Sequence, residues 1–223
     1  MRKFLTATLL CMALTVTMVP AAFAADTADS NYTTCMAAIQ EQKVIQDQAH
    51  LTAESLRQKG YDDSSAYIQA AQSTWWAAQD EIVAYQKLSQ YTDEDIRILT
   101  TAVFYEAGHT TEQLREYVAQ VVLNRVADSR FPDTVKGVIT QPGQYATKYA
   151  TQAATDSIKS ADSQNGTYYY AMCEAAVKKA MMGQVDMPSN VLYQANFAQG
   201  KGVWQSVYFN SGWYASTSYF CYG

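Results

Sequence analysis

Apolar residues recur at helical spacing through most of this chain, and the pattern changes character after Pro188. From about Tyr32 to Arg57 there is no Pro or Gly. There Ala38, Gln42, Ile45, Ala49, Thr52 and Leu56 follow at steps of four and three, which predicts a long helix with a weak seam, closed by Gly60. A second stretch, about Ser64 to Ser89, carries a stronger seam of Ala71, Trp75, Ala78, Ile82 and Tyr85. The short turn at Tyr61-Asp62-Asp63 folds one helix back on the other. Residues 25–90 are therefore expected to form a coiled-coil-like hairpin whose small residues admit Trp75. Trp76 lies off the seam and is expected on the surface.

A new unit opens at Thr92-Asp93-Glu94-Asp95, a capping-box-like start to a helix reaching about Ala107 and closed by Gly108. Thr110-Thr111-Glu112-Gln113 repeats the signature. It opens a helix from about Thr111 to Asp128 with a stripe of Leu114, Val118, Val121 and Val122, broken by Ser129-Arg130-Phe131-Pro132-Asp133. Gln141 to Gly166 is polar and poorly patterned, a long excursion with room for one short helix, and such loops are often functional. Another helix, about Thr167 to Met182, carries Tyr169, Cys173, Ala176, Val177 and Ala180 on one face and stops at Gly183. Beyond Pro188, Val191-Leu192-Tyr193 and Ser218-Tyr219-Phe220 read as short strands. The expected fold class is α+β and mostly helical: residues 91–223 form a helical domain with a small antiparallel sheet, preceded by the hairpin.

Residues 1–24 change the setting. Arg2 and Lys3, the apolar run from Leu5 to Pro20, and the small residues around Phe23 read as a secretory signal peptide cleaved after Ala24. Thr6, Thr8, Thr15 and Thr17 interrupt that run, which falls short of the ~20 strongly apolar residues of a membrane span, so no stable anchor is expected after cleavage. The protein is expected to be secreted or held in the cell wall. Cleavage removes two of the 16 basic residues and leaves 14 against 21 acidic ones, a balance of −7 that argues against nucleic acid as a partner. The mature chain keeps Cys35, Cys173 and Cys221, an odd number. A Cys173–Cys221 disulfide with one leftover thiol fits, and so do three reduced thiols. With His50 and His109 the only histidines and no CxxC, there is little material for a zinc site or a Ser-His-Asp triad.

Candidate chemistry begins in the helix after Thr92, where Ile96, Leu99 and Val103 mark a buried face and Glu106 takes the next step of the series. Burial and the negative end of the helix dipole both raise a carboxyl pKa. A carboxyl so placed stays protonated near neutral pH and can give its proton to a leaving oxygen. The opposing reading is a frayed helix end with an ordinary, solvated Glu106.

The residues around Glu106 favour chemistry. Phe104-Tyr105-Glu106-Ala107-Gly108, Val121-Val122-Leu123-Asn124-Arg125-Val126, Arg130-Phe131-Pro132-Asp133-Thr134-Val135, Gly137-Val138-Ile139 and Gln141-Pro142-Gly143-Gln144-Tyr145 follow in that order. Val191-Leu192-Tyr193-Gln194-Ala195-Asn196, Trp204 and Tyr219-Phe220 come after them. Together, over roughly residues 92–223, they resemble the spore-cortex-lytic and cell-wall hydrolase family (SleB/CwlJ type). The resemblance implies a lysozyme-like peptidoglycan glycosidase domain that acts on glycan strands of vegetative wall or spore cortex. Glu106 falls on the family's catalytic acid, and Asn124, Gln144, Tyr193 and Asn196 fall on positions near the cleft or its supports. From their chemistry, Gln144, Tyr145, Tyr193 and Asn196 are the candidate substrate-binding residues, because amides and phenols hydrogen-bond sugar hydroxyls and N-acetyl groups. Asn124-Arg125 are expected to brace the helix end.

Hydrolytic glycosidases place two carboxylates about the scissile bond. The family often has a second Glu where this chain has Thr110, and Asp133, Asp156 and Glu174 have no spacing that makes them its replacement. A single acid/base suffices when the muramic acid 6-hydroxyl is the nucleophile, so lytic transglycosylation is the first expectation. Muramidase-type hydrolysis, or a weakly catalytic glycan-binding scaffold, is the alternative. No cofactor and no metal is implied. Tyr105, Gly108-His109 and Thr217-Ser218 also depart from the family pattern. The hairpin is a possible surface for a protein partner or for self-association.

Overall fold

The computed structural model describes residues 29–160, 164–210 and 215–223. The leader expected at residues 1–24 lies outside the described residues. Helices α1 (Ser30–Gln58) and α2 (Ala66–Leu88) form the antiparallel hairpin. Its seam is made of Cys35, Ile39, Ala49 and Ala53 against Ile68, Ala71, Ala78 and Ile82, all buried. In α1 Ala53 takes the place expected of Thr52, which is exposed. Trp75 is half-buried and Trp76 is 62% exposed, as its place off the seam predicts.

The hairpin is tied to the next helix, α3 (Asp93–Ala107), by exchanged caps. The Asp93 carboxylate accepts from the backbone amides of Ser30 at 2.9 Å and Asn31 at 3.1 Å, while the Asp29 carboxylate accepts from the Asp93 amide at 3.2 Å. Each helix thus satisfies orphan donors of the other. The Asn31 side-chain amide adds bonds to the Leu88 and Tyr91 carbonyls, at 2.9 and 2.7 Å.

Helix α3 starts with the predicted capping box, Thr92 and Asp95 serving each other's ends. It runs through the core of residues 91–223, with Ile98, Leu99, Ala102 and Val103 fully buried. Around it lie α4 (Glu112–Ala127), α5 (Val135–Thr140), α6 (Gln152–Ser160) and α7 (Gln164–Met181). Leu114, Val118 and Val121 of α4, Val138 and Ile139 of α5, and Cys173 and Val177 of α7 complete the cluster. Gly108 does not close α3 in the left-handed conformation: its φ is −54°, and the chain turns at Ala107–Thr110 instead. Gly60 and Gly183 do take it, at φ 87° and 73°.

Strands β1 (Val191–Ala195), β2 (Val203–Asn210) and β3 (Ala215–Tyr222) form one antiparallel sheet in the order β1-β3-β2. The mostly helical fold with a small antiparallel sheet is the class expected from the pattern. Strand β2 and helix α5 were not. Cys35, Cys173 and Cys221 are all buried free thiols, so the Cys173–Cys221 disulfide does not form. Cys173 packs in the helical core, where burial pushes its pKa up to about 12, while Cys221 accepts from the Gln199 amide at 3.5 Å.

Candidate active site

Glu106 stands in the last turn of α3, where the helix leaves the core. The buried stripe continues from Val103 to Ala107, one residue further than expected, so Glu106 turns outward and as a residue is exposed. A four-residue step keeps a side chain on the same face more closely than a three-residue step. Outward here means into a cleft. Glu106, Arg125, Gly143, Gln144, Tyr145, Tyr193, Gln194, Phe197 and Gln199 line a cavity of about 280 Å³. Protein atoms crowd the carboxyl enough that burial raises its pKa above the usual carboxylate value, opposed by a hydrogen bond from the Tyr149 hydroxyl.

One wall comes from α4 and β1. Asn124 and Arg125, near the C-terminus of α4, are 5% and 4% exposed. The Asn124 amide donates to the carbonyls of Pro188 and Val191, both at 3.0 Å, and its oxygen accepts from Gln120 at 2.9 Å. Arg125 Nε donates to the Leu192 carbonyl at 2.6 Å. Its guanidinium lies 5.3, 5.6 and 5.9 Å from the ring centres of Phe131, Tyr145 and Tyr193, a cation held among three aromatic faces. These bonds fix the start of β1, and with it Tyr193 and Gln194 at the cleft.

The opposite wall is the excursion after α5. Gln141-Pro142-Gly143-Gln144 closes a turn through the Gln144 amide and the Gln141 carbonyl, 3.2 Å apart, with Gly143 at φ 77°. Pro then Gly at the two central positions is the sequence that such a type II turn requires. It sets Gln144 and Tyr145 at the cleft. Burial pushes the Tyr145 hydroxyl up to about 12; Arg125 pulls the other way, and the nearby Glu106 charge adds to the rise. A single 3-10 turn, Thr147–Ala150, then brings Tyr149 to Glu106.

Of the five residues expected at the site, Glu106, Gln144, Tyr145 and Tyr193 share this cavity. Asn196 does not: it is exposed at the bend beyond β1 and lies outside the lining, because the strand ends at Ala195. Asn124-Arg125 brace as expected, though Arg125 also reaches the cavity. Gln194, Phe197, Gln199 and Tyr149 were missed; the first lies inside the quoted Val191–Asn196 motif and could have been found there. His109 is exposed, its ring 4.4 Å from that of Tyr169, and does not line the cleft. The Thr110 hydroxyl donates to the Ala107 carbonyl at 2.6 Å and so closes the turn after α3. Asp156 accepts from Gln152 at 2.8 Å, Glu174 pairs with Lys178 at 2.6 Å, and neither they nor Asp133 line the cavity.

An acid in a cleft of amides and aromatic rings offers groups that can hydrogen-bond and stack on a polar ligand, and sequence relationships add to that picture. Residues 110–217 match the profile of the family described as Cell Wall Hydrolase. The match begins four residues past Glu106. The chain is similar to a spore cortex-lytic enzyme of Halalkalibacterium halodurans, 34% identical over 108 residues that cover 42% of this chain and 33% of that one. It is also similar to that of Bacillus subtilis, 27% identical over 119 residues covering 48% and 39%. The aligned segment thus spans between a third and two-fifths of these relatives' length. The crystal structure of the catalytic domain of the Bacillus cereus SleB protein aligns with 26% identity over 59% of this chain and 91% of that one, at a TM-score of 0.39.

Proposed function

We propose that this protein is an exported lytic transglycosylase that cleaves the bond between N-acetylmuramic acid and N-acetylglucosamine in peptidoglycan, with Glu106 as its acid and base. The observation that carries this reading is the cleft itself, where Glu106 is the one carboxylate among the described residues that line it.

The chemistry follows from that count. Protonated Glu106 gives its proton to the glycosidic oxygen as the bond from that oxygen to the muramic C1 breaks. The muramic 6-hydroxyl oxygen bonds to C1, and its proton passes to the Glu106 carboxylate, which restores the acid. The products are a 1,6-anhydro-muramic end and a free 4-hydroxyl on the glucosamine. A raised pKa keeps the acid loaded for the first step. The amides of Gln144, Gln194 and Gln199 and the phenol of Tyr193 suit sugar hydroxyls and N-acetyl groups, and Phe197, 60% exposed, offers an apolar face to a pyranose ring. The cell wall hydrolase family and the spore cortex-lytic relatives support peptidoglycan as the polymer. Among the described residues no helix is long and apolar enough to cross a membrane. In this reading the secretory leader takes the enzyme to the wall.

The test is to incubate the protein and Glu106→Gln with purified peptidoglycan and weigh the released fragments. Muropeptides lighter by one water than their reducing counterparts, absent with the variant, are the expected result. Reducing ends would instead mean hydrolysis, and binding without soluble products would mean a scaffold.

A further inference from the structure

The helical hairpin holds a hollow of about 300 Å³ that shares no lining residue with the cleft. Its buried lining is Ala49, Ala53 and Ala71, seam residues too small to fill the space beside them. Trp75 and Trp76 complete it from α2, edge to face with ring centres 4.8 Å apart. Trp75 is half-buried and Trp76 exposed, so the packing of the hairpin leaves much of this indole pair open to solvent. The polar groups of the lining are His50, Arg57 and Gln72, all exposed. Asp63 accepts from Arg57 Nε at 2.8 Å, which leaves the terminal guanidinium nitrogens as donors for a ligand. His50 pairs with Glu54 at 3.2 Å, and neither that carboxylate nor Asp63 lines the hollow.

We propose that this hollow is a second glycan-binding site, which seats an N-acetylated amino sugar of a peptidoglycan strand against Trp75 and Trp76. The choice of occupant rests on the reading of peptidoglycan as the polymer. Size decides first, because a hollow of about 300 Å³ suits a ring-sized group, whereas a docked helix, ~10 Å across, needs a groove running several turns. A pyranose ring asks for an apolar wall against its C–H face and for donors to its hydroxyl and N-acetyl oxygens. The two indoles supply the wall, and Gln72 and His50 the donors. Charge points the same way: the chain carries 21 acidic residues against 16 basic ones, yet the ionisable groups lining the hollow, His50 and Arg57, are both basic. Arg57 takes a carboxylate of the strand, the lactyl group of muramic acid. The hairpin is fixed to the rest of the fold by the exchanged caps of Asp29 and Asp93, and Trp76 lies ~18 Å along α2 from Leu88, which packs into the main core. A strand held there stays tethered while the cleft releases and rebinds it, which raises its effective concentration at Glu106.

The test follows the indole N–H signals of the full chain by two-dimensional NMR, in Glu106→Gln so that the sugar stays uncut. Trp75→Phe and Trp76→Phe identify the two signals by their loss. A soluble tetrasaccharide of alternating N-acetylglucosamine and N-acetylmuramic acid should shift both. Trp76→Ala, a change at an exposed position, should weaken the binding read from the Trp75 signal roughly five- to tenfold. Arg57→Ala should weaken the muramic tetrasaccharide several-fold more than an N-acetylglucosamine tetramer, which has no carboxylate, and equal losses would overturn the Arg57 contact. With Glu106 intact, Trp76→Ala should slow release from whole peptidoglycan several-fold and leave cleavage of the short tetrasaccharide unchanged. Trp75 and Trp76 signals that move with neither sugar overturn the inference, as does undiminished affinity in Trp76→Ala. A parent protein that releases nothing from peptidoglycan while these signals move would defeat the proposed function and leave the second site standing.

Discussion

The two walls of the cleft are built from different physics. On the α4 and β1 side, two polar side chains are almost wholly buried, and three of the four bonds named for them end on carbonyls at or just before β1. On the excursion side the backbone is held by single-turn bonds, such as Tyr149 to Ala146 at 2.8 Å and Thr151 to Lys148 at 3.0 Å, and Gln144 is exposed. Buried hydrogen bonds are costly to break and fix geometry, whereas a chain of local turns leaves side chains at the surface to meet a ligand. One wall sets where the cleft is; the other lays exposed side chains such as Gln144 along it.

Substitutions should separate these roles. The largest effect is expected at Glu106, on activity: Glu106→Gln should lower cleavage roughly a hundred- to ten-thousand-fold. Its effect on stability has the opposite sign. Burial raises the folded carboxyl pKa above the unfolded one, so this group's contribution is most favourable below the unfolded pKa and falls as pH rises through the folded pKa. Thermal melts should show Glu106→Gln at least as stable as the parent at neutral pH, with any advantage gone by about pH 4. Next comes the braced wall. Arg125→Ala strands the Leu192 carbonyl and empties the space among three rings, and urea unfolding should show a loss of about 3 kcal/mol. Asn124→Ala leaves the Pro188 and Val191 carbonyls unpaired and should cost about 2 kcal/mol. Smallest is the turn wall, where Gln144→Ala should shift stability by no more than about 0.5 kcal/mol. Its KM for glycan fragments should nonetheless rise several-fold. A destabilising Gln144→Ala or a silent Asn124→Ala would erase the contrast between the walls.

The same contrast explains what the sequence revealed. Helices α1 to α4 and α7 are long enough for apolar spacing and caps such as Thr92 to declare them. Helix α5 has six residues, fewer than two turns, so no period can show. Strand β2 was missed because Val207 alone is buried along it, which leaves no alternation to read. Glu106, singled out by the resemblance around it, does line a cavity, although its stripe position pointed to full burial. Tyr149 left no signal, since its approach to Glu106 depends on two successive turns in a segment without pattern. Gln199 and Phe197 reach the cavity from the connection after β1, where neither spacing nor motif marks them. Asn196 misled because a motif residue one step past a strand end can face away from its neighbours.

In the proposed reaction the muramic 6-hydroxyl, and not water, takes the anomeric carbon after Glu106 gives up its proton. Digestion of purified peptidoglycan in water enriched in heavy oxygen, followed by mass analysis of the muramic ends, tests it directly. Anhydro ends without label, formed by the parent protein and lost in Glu106→Gln, are the expected result. Heavy oxygen at a reducing muramic end, or undiminished release by the variant, would contradict it.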